Sequence, residues 1–103
     1  MTNWTREDLA RELPTMRDDG ESSSDVASVK LFTPWAGAAW KLSEFDPATG
    51  IAFGWCDLGL GMPELGYVSV DELLSLRGPA GLRVERDDYY SPENVRVLAG
   101  LDS

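Results

Sequence analysis

The stretch AWKLSEFDPATGIAFGWCDL (39–58) decides the fold, because it reads as two strands joined by a tight turn. In its middle, DPATG (46–50) combines a proline, which fixes φ, with Gly50, which can take a positive φ. This pattern is typical of a hairpin. Gly54 lies within the second strand and indicates a bulge or the close approach of another group. Strand periodicity places three side chains on one side of the first strand: Trp40, Leu42 and Glu44.

Further extended segments lie on both sides of this hairpin. Their β-branched or alternating patterns predict three more strands, in VASVKLFT (26–33), YVSV (67–70) and LRVERDDYY (82–90). Successive strands joined by short turns favour antiparallel pairing. The predicted fold class is therefore α+β, with an antiparallel meander sheet of about four to five strands.

Helix signals stand near both ends of the chain. Thr5 can cap a short helix, Asp8 completes an approximate capping box, and Pro14 ends the helix. A second helix is predicted from Ser69 or Asp71 to Gly78, and a last helical turn from Ser91 with Pro92 at its first position. We expect the short N-terminal helix and one or two helices to pack on one face of the sheet.

A polar segment separates the first helix from the strands. RDDGESSSD (17–25) contains Gly and three consecutive serines, which predicts a flexible linker. The predicted organisation is an N-terminal helix over 1–16, the linker, and a single α+β domain over 26–103. A length of 103 residues fits one domain with a modest core.

The charge balance is strongly acidic. Eighteen Asp and Glu face nine Lys and Arg, for a formal net charge of −9. This charge disfavours direct binding to nucleic acid and to anionic membranes, since both need cations. It serves either solubility or the binding of a protein with a basic, nucleic-acid-binding surface. With no apolar run long enough to cross a bilayer and no apolar signal core at the N-terminus, we expect a cytoplasmic location.

The composition excludes most catalytic constellations. The sequence has no histidine and a single cysteine, Cys56. Neither a Cys–His dyad nor a Ser–His–Asp triad can form, and zinc ligands are too few. The Gly-rich stretch GLGMPELG (59–66) lacks the Gly-Lys-Ser/Thr of a phosphate loop. We predict no catalytic residue, cofactor or metal, and we interpret Cys56 as a small core residue.

The tryptophans allow two interpretations. The small residues beside Trp35 and Trp40 favour close ring packing, so these rings and Trp55 are predicted to lie mainly in the core. Glu64 could then accept an indole N–H and fix the cluster structurally. Alternatively, the same side chains line a ligand-binding or enzymatic pocket, formed by Trp35, Trp40, Glu44, Glu64 and Tyr67.

A second group of candidates combines acids with tyrosines. ERDDYY (85–90) suits an interface that meets Arg or Lys, or else an edge strand whose charges prevent further pairing. The predicted partner-binding residues are Glu64, Asp71, Glu72, Glu85, Asp87, Asp88, Tyr89 and Tyr90.

Residues 31–92 resemble a domain-of-unknown-function family of small proteins carried by bacterial plasmids, phages and integrative elements. The motifs that carry the resemblance are FTPW (32–35), Trp40, EFDP (44–47), FGW (53–55), PELGYVSVDEL (63–73), LRGP (76–79) and VERDDYYSP (84–92). LARELP (9–14) also resembles the family's opening helix. CDLGLGM (56–62) departs from it, where a shorter polar loop is expected.

The resemblance implies no activity or catalytic residue, but it implies a setting beside anti-restriction and conjugation genes. We therefore expect a non-enzymatic inhibitor that blocks a host nucleic-acid-binding defence complex, of the anti-CRISPR or anti-restriction type. The alternatives are the ligand-binding or enzymatic domain and a structural or toxin–antitoxin-like partner.

Overall fold

The computed structural model describes residues 3–15 and 25–100. Their helices and strands are, in chain order, α1 (Arg6–Glu12), β1 (Val26–Ala27), β2 (Val29–Phe32), β3 (Ala39–Asp46), β4 (Ile51–Asp57), β5 (Glu64–Ser69), α2 (Val70–Ser75), a 3-10 turn (Pro79–Gly81), β6 (Glu85–Arg86), β7 (Glu93–Asn94) and α3 (Val95–Leu98).

Five of these strands form one antiparallel sheet in the order β5-β4-β3-β2-β6. Strands β2 to β5 are a meander, and β6 returns to pair with β2. The predicted α+β class and its antiparallel meander are confirmed. The single strand predicted over 26–33 is wrong, because the chain changes partners at Ser28. Val26 and Ala27 pair with β7 in a separate two-stranded sheet, and Val29 begins the pairing with β3.

The main core lies on one face of the sheet, beneath α1 and α2. Buried side chains from both helices and from the sheet form one cluster, which includes Leu9, Leu31, Leu42, Phe45, Val70, Leu73 and Val84. Thr5 caps α1 in the predicted capping box with Asp8. Trp4, which is 2% exposed, donates its indole N–H to the carbonyl of Val84 at 2.9 Å. The N-terminal helix therefore shares the core of the sheet, and the predicted linker lies, apart from Asp25, outside the described residues.

A β-bulge in β3 changes the side on which one predicted site residue lies. Leu42 pairs with Gly54 and Glu44 with Phe53, so Ser43 is an extra residue on β3. Because one inserted residue reverses the alternation, Glu44 lies on the face opposite to Leu42. The prediction that Glu44 shares a side with Trp40 and Leu42 is wrong.

The close approach predicted at Gly54 is confirmed. A Cβ atom there would lie 2.1 Å from the backbone oxygen of Lys41 and 2.8 Å from the Cα of Leu42. The predicted turn over 46–50 is confirmed as well: Gly50 has a φ of +78°, and Asp46 accepts a hydrogen bond from the Ala48 N–H at 2.9 Å.

Two predicted boundaries differ in the structure, the start of β5 and the end of α2. Glu64, expected in a loop, begins β5 because its pairing with Cys56 lengthens the strand at its start. Helix α2 ends at Ser75 instead of Gly78, and Gly78 packs against the Trp35 ring.

At the C-terminal end, only Glu85–Arg86 of the predicted strand over 82–90 pairs in the sheet. The last helix begins at Val95 with Asn94 as its cap, since β7 occupies the preceding residues. The predicted start of this helix at Ser91 and Pro92 is wrong.

Candidate functional site

The predicted partner-binding residues lie at opposite edges of the sheet. One group, at β5 and α2, consists of Glu64, Asp71 and Glu72. The other, at and after β6, consists of Glu85, Asp87, Asp88, Tyr89 and Tyr90. Strands β5 and β6 are the two ends of the five-strand order, and neighbouring strands lie about 4.8 Å apart, so about 19 Å separates the edges. The two groups do not form one continuous surface.

At the β6 edge, most acids meet partners within the chain. Asp87 lies 3.9 Å from the Nζ of Lys30, and Asp88 accepts a hydrogen bond from Asn3 at 3.2 Å. Arg86, which directly precedes Asp87, donates two hydrogen bonds to the carboxylate of Glu12 at 2.5 and 2.7 Å. Lys30 and Arg86 therefore offset the charges of Asp87 and Glu12, whereas Glu85 and Asp88 form no ion pair among the described residues.

Tyr90 also contacts its own chain. The Nζ of Lys41 lies 5.6 Å from the Tyr90 ring, 4.9 Å from the Trp55 ring and 2.8 Å from Oε1 of Glu93. The hydrogen bond from Lys41 lowers the pKa of Glu93, while burial and the Glu93 carboxylate raise the pKa of Tyr90. This cluster fastens the C-terminal segment to the sheet, whereas Tyr89 is 96% exposed.

At the opposite edge, a cleft of about 400 Å³ lies between β5 and α2. Its wall and floor are mainly apolar, with contributions from Trp40, Cys56, Leu58, Tyr67, Val68, Leu73 and Leu76. Glu64 and Glu72 are the acids that line this β5–α2 cleft. Within residues 3–15 and 25–100, neither forms an ion pair, whereas Asp71 lies 3.1 Å from Arg6. The cleft therefore presents two carboxylates, and no Lys or Arg of the described residues forms an ion pair with either.

An exposed segment, which we call the apolar loop (58–63), continues from this cleft. Leu60 is 80% exposed and Met62 is 83% exposed. Gly59 and Gly61 alternate with these side chains and have φ values of +81° and +82°, a conformation that glycine adopts without strain. The apolar loop is not among the site residues predicted from the sequence, although the alternation of Gly with Leu and Met in GLGM (59–62) could have indicated it.

Only part of the predicted pocket is assembled. Trp40, Glu64 and Tyr67 line the β5–α2 cleft, but Trp35 and Glu44 do not. Trp35 packs over Gly78, and Glu44 is fully buried across the sheet, on the face away from the cleft.

The predicted structural role of Glu64 toward Trp55 is wrong. Among the described residues, the buried Nε1 of Trp55 has no hydrogen-bond partner. Glu64 is exposed at the sheet edge. Burial and, to a smaller extent, the nearby Glu64 carboxylate raise the pKa of the Cys56 thiol. The thiol is therefore held in its protonated form, which disfavours nucleophilic chemistry.

Neither a metal centre nor a membrane span is found in the described parts of the chain. Over 3–15 and 25–100, no three His, Cys, Asp or Glu side chains come together as metal ligands would. No helix within those ranges has the length and apolar character needed to cross a membrane.

Fold and site together define a small acidic α+β domain whose sheet edge carries an apolar cleft with two carboxylates. Residues 1–97 match a family described as a protein of unknown function (DUF2958), and the chain belongs to this family. Neither a curated protein nor a solved structure matches the chain.

Proposed function

We propose that this protein is an acidic, non-enzymatic inhibitor carried by a mobile genetic element. It acts in the bacterial cytoplasm by binding a host defence complex that normally holds nucleic acid, of the anti-CRISPR or anti-restriction type. The observation that carries the proposal is that Glu64 and Glu72, which form no ion pair among the described residues, lie beside exposed apolar side chains.

The mechanism is charge complementarity. A nucleic-acid-binding surface presents Arg and Lys side chains that neutralise phosphates. A protein with a net charge of −9 is attracted to such a surface over a distance, and this attraction raises the association rate at low salt. Apolar contacts then slow dissociation, so the bound inhibitor excludes the nucleic acid.

Affinity capture from a bacterial host lysate tests this function. The immobilised full-length protein is exposed to the lysate and eluted with a salt gradient, and eluted complexes are assayed for DNA and RNA binding. We expect a nucleic-acid-binding complex to elute at moderate salt, because salt screens the charges at the interface. Capture that is insensitive to salt, or a captured complex that still binds nucleic acid fully, would contradict the proposal.

A second candidate function is the binding of a small cationic ligand, as part of a ligand-binding or enzymatic domain. It is favoured by the convergence of Trp40, Glu64 and Tyr67 on one cleft. The Glu64→Gln variant distinguishes the ligand-binding candidate from the inhibitor. A folded variant that loses a small-molecule activity while still capturing the host complex would favour this candidate over the inhibitor.

A further inference from the structure

We infer that the β5–α2 cleft and the apolar loop together form the docking site for a basic amphipathic segment of the partner protein. This inference rests on the proposed function and specifies which edge of the sheet carries it. The occupant has apolar side chains on one side, flanked by Arg or Lys.

The cleft and the apolar loop form one surface. Cys56, Leu58 and Glu64 line both the β5–α2 cleft and the depression beneath the loop. Leu58 is 61% exposed and Leu76, on the far side of the cleft, is 40% exposed. Scattered apolar side chains are ordinary on protein surfaces, but a contiguous exposed group with polar residues at its edge marks an interaction site.

The chemistry of this surface selects its occupant. Glu64 lies where the cleft meets the loop, and Glu72 lies on the α2 side. A partner Arg or Lys can lay its aliphatic stem on the apolar floor and extend its charged end to these carboxylates. Leu and Met side chains adapt their shape to a variable apolar face. A neutral apolar peptide would leave both carboxylates partly desolvated and unpaired.

The same two carboxylates argue against a membrane as the occupant. Inserting Leu60 and Met62 into a bilayer would bring Glu64 to the headgroup region. An anionic leaflet also repels a protein with a net charge of −9.

The opposite edge of the sheet supplies a matched control. Glu85 and Asp88 are predicted partner-binding residues of the same charge, located at or after β6. Changing Glu85→Gln with Asp88→Asn removes two negative charges, as does Glu64→Gln with Glu72→Gln. Any effect of net charge alone is therefore equal in the two double variants.

The test measures binding of a defined probe to the full-length protein. The probe is a fluorescent synthetic 16-residue amphipathic helix with Leu on one face and Arg on the other, and fluorescence anisotropy is recorded at low and high salt. A second peptide replaces each Leu with Ser. Thermal unfolding verifies that each variant is folded. For Glu64→Gln with Glu72→Gln we expect a folded protein, because these two carboxylates contribute no ion pair among the described residues.

We expect Glu64→Gln with Glu72→Gln to weaken probe binding about tenfold at low salt, and the control double variant about twofold or less. Leu60→Ser with Met62→Ser should weaken it about tenfold as well, and the Ser-substituted peptide should bind poorly to the unaltered protein. Equal loss in the two charge variants, or equal binding of both peptides, would overturn the inference.

Failure of the inference is distinguishable from failure of the proposed function. If the lysate complex is captured but its binding depends on Glu85 and Asp88, the function stands and the docking site is wrong. If the probe binds as expected but no nucleic-acid-binding complex is captured, the docking chemistry stands and the inhibitory function is wrong.

Discussion

Replacing Gly54 by alanine tests how β3 and β4 pack at the bulge. The new Cβ would lie 2.1 Å from the Lys41 oxygen and 2.8 Å from the Leu42 Cα. Both neighbours are backbone atoms of a central strand, so no flexible side chain can move aside. The strands must separate by more than 1 Å to restore ordinary contact distances of about 3.5 Å.

The cost follows from this separation. Overpacking alone costs typically about 1–3 kcal/mol. Separating the strands also weakens one or two ladder hydrogen bonds, each contributing about 1 kcal/mol. We therefore expect Gly54→Ala to lower the free energy of unfolding by about 2–5 kcal/mol. For a domain of this size, that loss lowers Tm by about 10–25 °C.

Gly66 on β5 provides the matched control, because it pairs directly with Gly54 on β4. A Cβ atom at Gly66 would have no atom within 4 Å. Gly66→Ala should leave stability unchanged or raise it by up to about 1 kcal/mol, since alanine restricts the unfolded chain more. Urea unfolding monitored by tryptophan fluorescence measures both variants. A difference of less than about 0.5 kcal/mol between them would refute the proposed packing at the bulge.

Three further predictions concern individual side chains. Trp4→Phe keeps an aromatic ring but removes the indole N–H donor to the Val84 carbonyl and part of the buried ring. We expect the free energy of unfolding in urea to fall by at least about 1–2 kcal/mol, and an unchanged midpoint would contradict the role of this hydrogen bond. The pKa of Glu93 is lowered in the fold, so its stabilisation is present above about pH 4.5 and lost as pH falls through the lowered pKa. Lys41→Met should reduce that acid dependence and cost about 1 kcal/mol at pH 7, as measured by unfolding at several pH values; an unaltered pH profile would count against the ion pair. Because the pKa of Cys56 is raised, its thiol should react with a disulfide reagent at pH 7 about tenfold more slowly in the folded protein than in urea, and equal rates would disprove its protection.

The local parts of the fold could be predicted from the sequence. The turn over 46–50 and the cap at Thr5 depend on residues within a few positions of each other, and both were predicted correctly. The alternating pattern within VASVKLFT (26–33) also predicted extended structure, and Val29 and Leu31 are buried because one face of β2 lies in the core. Such features are determined by backbone preferences and hydrophobic periodicity.

Features that depend on pairing between distant segments could not be predicted. The bulge at Ser43 depends on the register with β4, and it moved Glu44 out of the predicted pocket. Glu64 joins β5 because Cys56 offers a pairing partner across the Gly-rich loop. Local residue preferences carry no information about these two pairings between strands. The start of β5 and the face of Glu44 were therefore predicted incorrectly.

The candidate site could be predicted only in part from the sequence, because it too depends on contacts between distant segments. Glu64 and Glu72 were predicted to bind a partner, but the sequence grouped them with acids near β6 that lie at the other edge. It gave no indication that Asp87 meets Lys30, which lies far from it in the chain. The three-dimensional arrangement pairs Asp71 and Asp87 with cations of the same chain, whereas Glu64 and Glu72 form no ion pair among the described residues.

A competition experiment tests the central claim most directly. The host complex captured by this protein is loaded with a fluorescent nucleic acid, and the full-length protein is titrated in at low and at moderate salt. The account predicts displacement of the nucleic acid, with an apparent affinity that falls as salt rises and falls again in Glu64→Gln with Glu72→Gln. A stable ternary complex that retains the nucleic acid at every protein concentration would contradict it.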